Sequence, residues 1–200
     1  MISARIHRFF LTVLLGVVCS LTPLHARFDP EIDTAARRYV AEHVSKWLSD
    51  PIIIESVISQ NQLHASLTQG DIHEMDHQWK KQSMDGGALV DKVLDNELST
   101  HLREIEHQAN GLITEILVMD NKGLNVGLSS LTSDCWQGDE DKWRKSYLAG
   151  PGAVFVDEVD LDESSQRYQT QVSVPVVSPG SGNVIGAVTV GIDAEGLLLR

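Results

Sequence analysis

Residues 71–80 read DIHEMDHQWK, and within them His73-Glu74-Met75-Asp76-His77 matches the pattern H-E-x-x-H. On a helix this spacing sets His73 and His77 one turn apart on one face, where they could share a zinc ion while Glu74 activates a bound water as general base. The chemistry would be zinc-dependent hydrolysis, and Asp95-Asn96-Glu97 could supply a third ligand. Two features oppose it. Asp76 puts a charge where the metal helix of such hydrolases carries neutral residues, and the stretch before His73 reads as helix rather than as a substrate-binding sheet. The segment is therefore expected to be a solvated helix face. Adventitious metal binding by His73 and His77 is the weaker alternative, and no cofactor is expected.

A second set of chemically able residues lies beyond position 130. Trp143 and Tyr147 stand at i and i+4 and share a face of a short helix, with Trp136 just ahead of them. Arg144 and Lys145 are among the few cations here, and the fork of Arg144 suits a carboxylate. Asp157, on a strand, could receive an amine or other cation. In the stretch 167–177, Tyr168, Thr170, Val172, Val174 and Val176 alternate with Arg167, Gln169, Gln171 and Ser173. Such a half-polar strand is ordinarily solvated on one side. If that side is covered, Gln171 and Ser173 become ligand-binding groups. The bland alternatives are core packing for the aromatic residues and pairing of Arg144 or Lys145 with Asp139, Glu140 or Asp141. No Ser/His/Asp constellation, P-loop or dinucleotide-binding glycine pattern is present, so no enzymatic activity is expected.

The elements that must position these residues differ between the two halves of the chain. Asp29 and Pro30 open a helix whose stripe runs through Ile32, Ala35, Ala36, Tyr39, Val40, His43, Val44 and Trp47, with a break at Pro51. Helix resumes over 52–67, a further helix starts near 68–71, and another spans 88–108 up to Asn110-Gly111. Beyond it the period shortens. Strands are expected over 113–119 and 124–129 as a hairpin, over 153–159, 167–177 and 184–192, with a short helix over 139–147. The fold class is α+β, a sheet of about five antiparallel strands preceded by long helices.

The chain carries 16 Lys+Arg against 28 Asp+Glu, a net charge of −12. Arg5 and Arg8 precede an apolar run from Phe9 to Leu21 that ends near Ala26, the layout of a signal peptide over residues 1–26. Its cleavage would leave 14 basic residues (16 − 2) against 28 acidic ones, a net −14. So acidic a chain is a poor partner for nucleic acid or anionic lipid. The remaining 27–200 suit one domain, with helices over 27–112 packing on a core over 113–200. Cys135 would then be the only cysteine, read as a small hydrophobe and without a disulfide partner. A periplasmic or secreted location is expected, with no second apolar span and no output module after the last strand.

Three stretches resemble the extracytoplasmic Cache/PDC (PAS-like) sensor family. Ile116-Leu117-Val118-Met119-Asp120-Asn121-Lys122-Gly123 is similar to its first strand and Asp-x-x-Gly turn, and Trp136 to Trp143 to the entry of its pocket-side helix. Val172-Ser173-Val174-Pro175-Val176, followed by Asn183 to Val188, is similar to its closing strand pair. The resemblance implies a sheet with a helix on one face and a small-molecule pocket on the other, formed by Trp136, Trp143, Arg144, Tyr147, Asp157, Gln171 and Ser173 around one cavity. It implies a small organic ligand (a carboxylate, amino acid or amine) and signalling through a separate membrane receptor or sensor kinase, with a homodimer through the N-terminal helix as a further possibility. Besides the zinc hydrolase, the remaining alternative is a ligand-free protein-interaction module whose pocket is filled by its own aromatic side chains.

Overall fold

The computed structural model describes residues 29–162 and 166–200, so the leader expected over 1–26 lies outside the described residues. Helix α1 (Pro30–Tyr39) starts as expected: the Asp29 side chain accepts the N–H groups of Glu31 and Ile32, and Pro30 takes the first helical position. The backbone then widens into a π-helical turn, Val40–Val44, before α2 (Ser45–Trp47). This turn corrects the expected stripe. Val40 and Val44 stay buried, but His43 is rotated out to solvent, where it stacks on Tyr39 at 4.7 Å between ring centroids.

Pro51 begins α3 (Pro51–Leu63), and Thr68 caps α4 (Gln69–Asp85) in a reciprocal box with Asp71. The one helix expected over 88–108 is two, α5 (Ala88–Leu94) and α6 (Glu97–Gln108). Asn96 causes the break, because it leaves helical geometry so that its side chain can accept the Ser99 N–H at 2.7 Å. Asn110 and Gly111, both at positive φ, then turn the chain into the sheet.

Strands β1 (Ile113–Met119), β2 (Asn125–Leu128), β3 (Phe155–Val156), β4 (Asp160–Asp162), β5 (Arg167–Val177) and β6 (Val184–Asp193) form an open antiparallel sheet in the order β2-β1-β6-β5-β3, with β4 also on β5. The fold class is thus α+β, as expected. The strand expected over 153–159 shrinks to β3, the short helix over 139–147 to the single turn α7 (Asp141–Arg144), and α8 (Ala194–Leu198) follows β6.

One sheet face, carrying Ile116, Val118, Val172, Val174, Val188 and Val190, packs against Ile32, Tyr39 and Val40 of the N-terminal helix, Ile53 and Val57 of α3, and Leu98 and Leu102 of α6. The apolar stripe of α1 is consumed by its own sheet, so a dimer through this helix would have to use its polar outer face. Because side chains alternate along a strand, this packing sends Glu115, Leu117, Gln171, Ser173, Thr189 and Gly191 to the opposite face.

Candidate functional site

On that opposite face the strand register sets three cross-strand rows: Met119–Ala187–Pro175, Leu117–Thr189–Ser173 and Glu115–Gly191–Gln171. The first is apolar and is closed by Trp143, which packs on Met119 and Ala187 with Tyr147 against them. The two rings stack at 4.7 Å between centroids, and Trp143 Nε1 donates to the Asp120 carbonyl at 3.1 Å. Burial, with the nearby Asp120 carboxylate as a lesser cause, raises the Tyr147 hydroxyl pKa. In the second row Ser173 and Thr189 are fully buried and satisfy each other through a 2.8 Å hydroxyl contact.

The third row is open. Gly191 has no side chain to fill the sheet surface, and a Cβ there would lie 2.5 Å from Thr114 Oγ1 and 2.7 Å from Glu115 Cγ. Glu115 uses the space, reaching across β6 to accept the Gln171 side-chain N–H at 2.7 Å. A cavity of about 370 Å³ stands over this row, walled by Thr114, Glu115, Gln169, Gln171, Lys142 and Gln137. Lys142 is paired with Glu140 at 3.0 Å. Gln137 is 2% exposed, and its Nε2 donates to the Asp134 carbonyl at 3.0 Å, while its Oε1 has no hydrogen-bond partner. A buried acceptor left unpaired costs about 1–3 kcal/mol. A second cavity of about 400 Å³ adjoins the first through Asp162, Gln169 and Gln171, with Asp157 on its wall.

The loop carrying Gln137 is anchored twice. From α4, Asp76 Oδ1 accepts the N–H groups of Cys135 and Trp136 at 3.0 and 3.1 Å, while Lys80 bridges Asp76 and Asp134 at 2.8 and 2.7 Å. Burial opposes ionisation of Asp134, but hydrogen bonds from Lys80 and Ser133 outweigh it and hold that carboxyl below its usual range. Hydrogen bonds to Asp134 and then Asp76 raise the Lys80 pKa. From the β1–β2 turn, the carbonyls of Lys122 and Gly123 accept Trp136 Nε1–H and the Gln137 N–H at 2.8 and 2.7 Å. The turn is itself built on Asp120, whose wholly buried carboxylate accepts the N–H groups of Lys122 and Leu124 through Oδ1, and contacts Gln60 Nε2 of α3 and Nδ1 of His64, the residue that caps its C-terminus, through Oδ2, both at 3.0 Å.

The single cavity expected to gather seven residues is therefore corrected. Gln171 lines the 370 Å³ cavity and Asp157 the adjoining one. Trp136 instead edges a separate hollow with His73, Asp76 and Lys80. Trp143 and Tyr147 seek the apolar Met119–Ala187 row, Ser173 is spent on Thr189, and Arg144 is exposed. Sequence reasoning missed Glu115, Gln137 and Lys142. The signals were an acidic residue inside the apolar stretch ITEILVM and a glycine inside VIGAVTVGID, since an interior strand glycine marks a close approach.

On α4 the inward face is Ile72, Asp76 and Trp79, which leaves His73, Glu74 and His77 exposed. His73 Nε2 lies 2.9 Å from Gln69 Nε2, and its ring meets the edge of Trp136 at 5.2 Å. Among the described residues no group of three or more His, Cys, Asp or Glu is placed to hold a metal ion. No helix among them is long and apolar enough to cross a membrane.

No protein-family model matches the chain, and no curated protein matches it. Among solved structures it is similar to the ligand-binding domain of the Campylobacter jejuni chemoreceptor Tlp3 with 4-methylisoleucine, at 15% identity and a TM-score of 0.39 over 84% of this chain and 62% of that one. It is also similar to the sensor domain of the V. cholerae histidine kinase DctB, at 15% identity and TM-score 0.41 over 85% of this chain and 57% of that one. A third is the ligand-binding domain of the Pseudomonas aeruginosa PAO1 amino acid chemoreceptor PctC with GABA, at 12% identity and TM-score 0.36 over 84% and 63%. The chain thus spans less than two thirds of the length of each. These neighbours are ligand-binding or sensor domains of chemoreceptors and a histidine kinase. In its own topology the chain sets helices ahead of an open antiparallel sheet, the arrangement that the Cache/PDC resemblance implies.

Proposed function

We propose that this chain is a small-molecule-sensing domain of the Cache/PDC type, periplasmic or secreted, which signals to a separate partner such as a membrane receptor or sensor kinase. The observation that supports it is the break in the Glu115–Gly191–Gln171 row: the sheet is open where Glu115, Gln171 and the unsatisfied Gln137 converge on one polar cavity. Trp143 and Tyr147 fill only the far end of the face, which speaks against a pocket closed by its own aromatic residues. Occupancy would act by population shift. A ligand bonded to the loop at Gln137 pulls on the β1–β2 turn, and that turn is held by Gln60 of α3 and by His64 at its C-cap.

Thermal-shift screening against carboxylates, amino acids, amines and purines, run on the parent and on Gly191→Ala and Gln171→Leu variants, tests this reading. At least one compound should stabilise the parent and lose its effect in both variants. Stabilisation by none, or by compounds that act equally on the variants, removes the ligand-sensing role from this cavity.

A further inference from the structure

We infer that the ligand of this site is an organic cation, best a linear diamine or polyamine, rather than a carboxylate or a free amino acid; the inference rests on the ligand-sensing reading above and narrows it. Charge carries the first step. The two adjoining cavities are lined by Glu115, Glu140, Asp157, Glu158, Asp160 and Asp162 against one cation, Lys142, a net −5 from six acids and one base. Lys142 is already paired with Glu140 at 3.0 Å, so a carboxylate ligand would face an acidic field with no unengaged cation among the described lining residues to receive it. An ammonium group meets the reverse situation.

Built acceptors carry the second step. Glu115 is held over Gly191 by its bond from Gln171, with a further contact from Gln169 Nε2 at 3.5 Å, so its carboxylate is fixed in place before a ligand arrives. Gln137 is buried in the same wall with its Nε2 committed to Asp134. Its unused polar atom is Oε1, an acceptor and not a donor. This oxygen has no accessible surface, so a ligand reaches it only when the Gln137 side chain turns toward the cavity; an ammonium N–H then satisfies it, whereas a carboxylate does not. Shape carries the third. The cavities adjoin across Gln169, Gln171 and Asp162, with Glu115 on the first and Asp157 on the second. A flexible chain with an amino group at each end can present one charge to each.

Isothermal titration of the parent protein with 1,4-diaminobutane, spermidine, propylamine, glutamate and succinate tests the inference, with sodium and magnesium chloride at matched ionic strength as controls. The diamine should bind more tightly than propylamine, and glutamate and succinate should bind weakly or not at all. Glu115→Gln keeps the shape of the side chain and should weaken the diamine about tenfold or more, the loss expected of a charge-assisted hydrogen bond. Asp157→Asn, an exchange in a half-buried position, should weaken the diamine but leave propylamine unchanged. Unfolding midpoints of both variants confirm that they fold. Glutamate or succinate binding that Gly191→Ala abolishes would overturn the cation and leave the sensing reading intact, and the absence of any binding would overturn the cation while the wider thermal-shift screen decides the sensing reading. Diamine binding unaffected by Glu115→Gln, or matched by magnesium, would overturn the site.

Discussion

Asp120 is the point at which the turn, the loop over the cavity and helix α3 meet, and its removal gives the sharpest test of the architecture. Its side chain is fully buried and has four partners: the N–H groups of Lys122 (2.8 Å) and Leu124 (2.9 Å), Gln60 Nε2 and His64 Nδ1 (both 3.0 Å). In Asp120→Ala, Gln60 can fall back on the Asn125 carbonyl at 3.2 Å, but the Lys122 and Leu124 amides have no second acceptor among the described residues. Two orphaned donors, that of Leu124 buried and that of Lys122 partly so, at about 1–3 kcal/mol each cost about 2–6 kcal/mol together. For a domain of this size that lowers the melting temperature by roughly 4–24 °C. Asp120→Asn keeps an oxygen where Oδ1 serves both amides and changes only the Gln60 and His64 side, so its cost should be about 1–2 kcal/mol. Urea unfolding with an unchanged m-value measures both. If alanine costs less than about 1 kcal/mol, or asparagine costs as much as alanine, Asp120 does not hold the turn in the way described.

Two further outcomes follow from the environment of the loop. The Cys135 thiol is pushed up to about 12, first by burial and then by the Asp76 carboxylate, so iodoacetamide at about pH 8 should leave Cys135 unlabelled in the native protein and modify it only on unfolding, read on the peptide that carries it; rapid native labelling of Cys135 would show the loop to be open. Asp134 has a folded pKa below its unfolded one, so the unfolded chain takes up the proton first as pH falls. Its stabilising effect is present above the ordinary carboxylate pKa of about 3.9 and is lost as pH falls through the depressed value; Lys80→Met should flatten that part of the melting-temperature profile, and an unchanged profile would refute the assignment.

The fold was legible because it depends on local signals that agree with one another. Asp29-Pro30, the Thr68 cap, Asn110-Gly111 and the strict alternation of 167–177 each fixed an element boundary or a buried face. The misreadings arose where tertiary contacts overrode a local pattern. Ala88 to Gln108 reads as one helix until Asn96 is seen capping α6 and donating to the Val126 carbonyl at 2.8 Å. His43 fits a 3.6-residue stripe that the π turn displaces. The site was less legible, because a cross-strand row is a property of register. Glu115, Gly191 and Gln171 lie on three strands and acquire common meaning only once β6 is paired between β1 and β5. Aromatic residues near a loop looked like a ligand wall, yet apolar rings go where apolar surface is offered, and Met119 and Ala187 offer it.

The segment that first suggested a zinc site gains a different role through the residue that disqualified it. Asp76 is buried because it carries two backbone N–H bonds of the loop over the cavity, and Trp79 beside it donates to the Thr132 carbonyl at 2.9 Å, so α4 clamps that loop from one side. The β1–β2 turn clamps it from the other, and Asn61 ties that turn to both α3 and β6 by accepting the Asn121 N–H at 2.9 Å and donating to the Ile185 carbonyl at 2.8 Å. A loop fixed to two helices through backbone groups cannot move at Gln137 without loading one of those anchors. The α4 anchor includes an ion pair with half-exposed Lys80, whereas the α3 anchor is centred on fully buried Asp120. Under the proposed function, displacement on ligand binding should therefore be transmitted to α3, whose outer positions Glu55, Ser59, Gln62 and Leu63 are exposed. Hydrogen exchange should then show ligand-dependent protection in α3 and in the 120–124 turn; protection confined to the 130–142 loop would mean that the site is uncoupled from the helices.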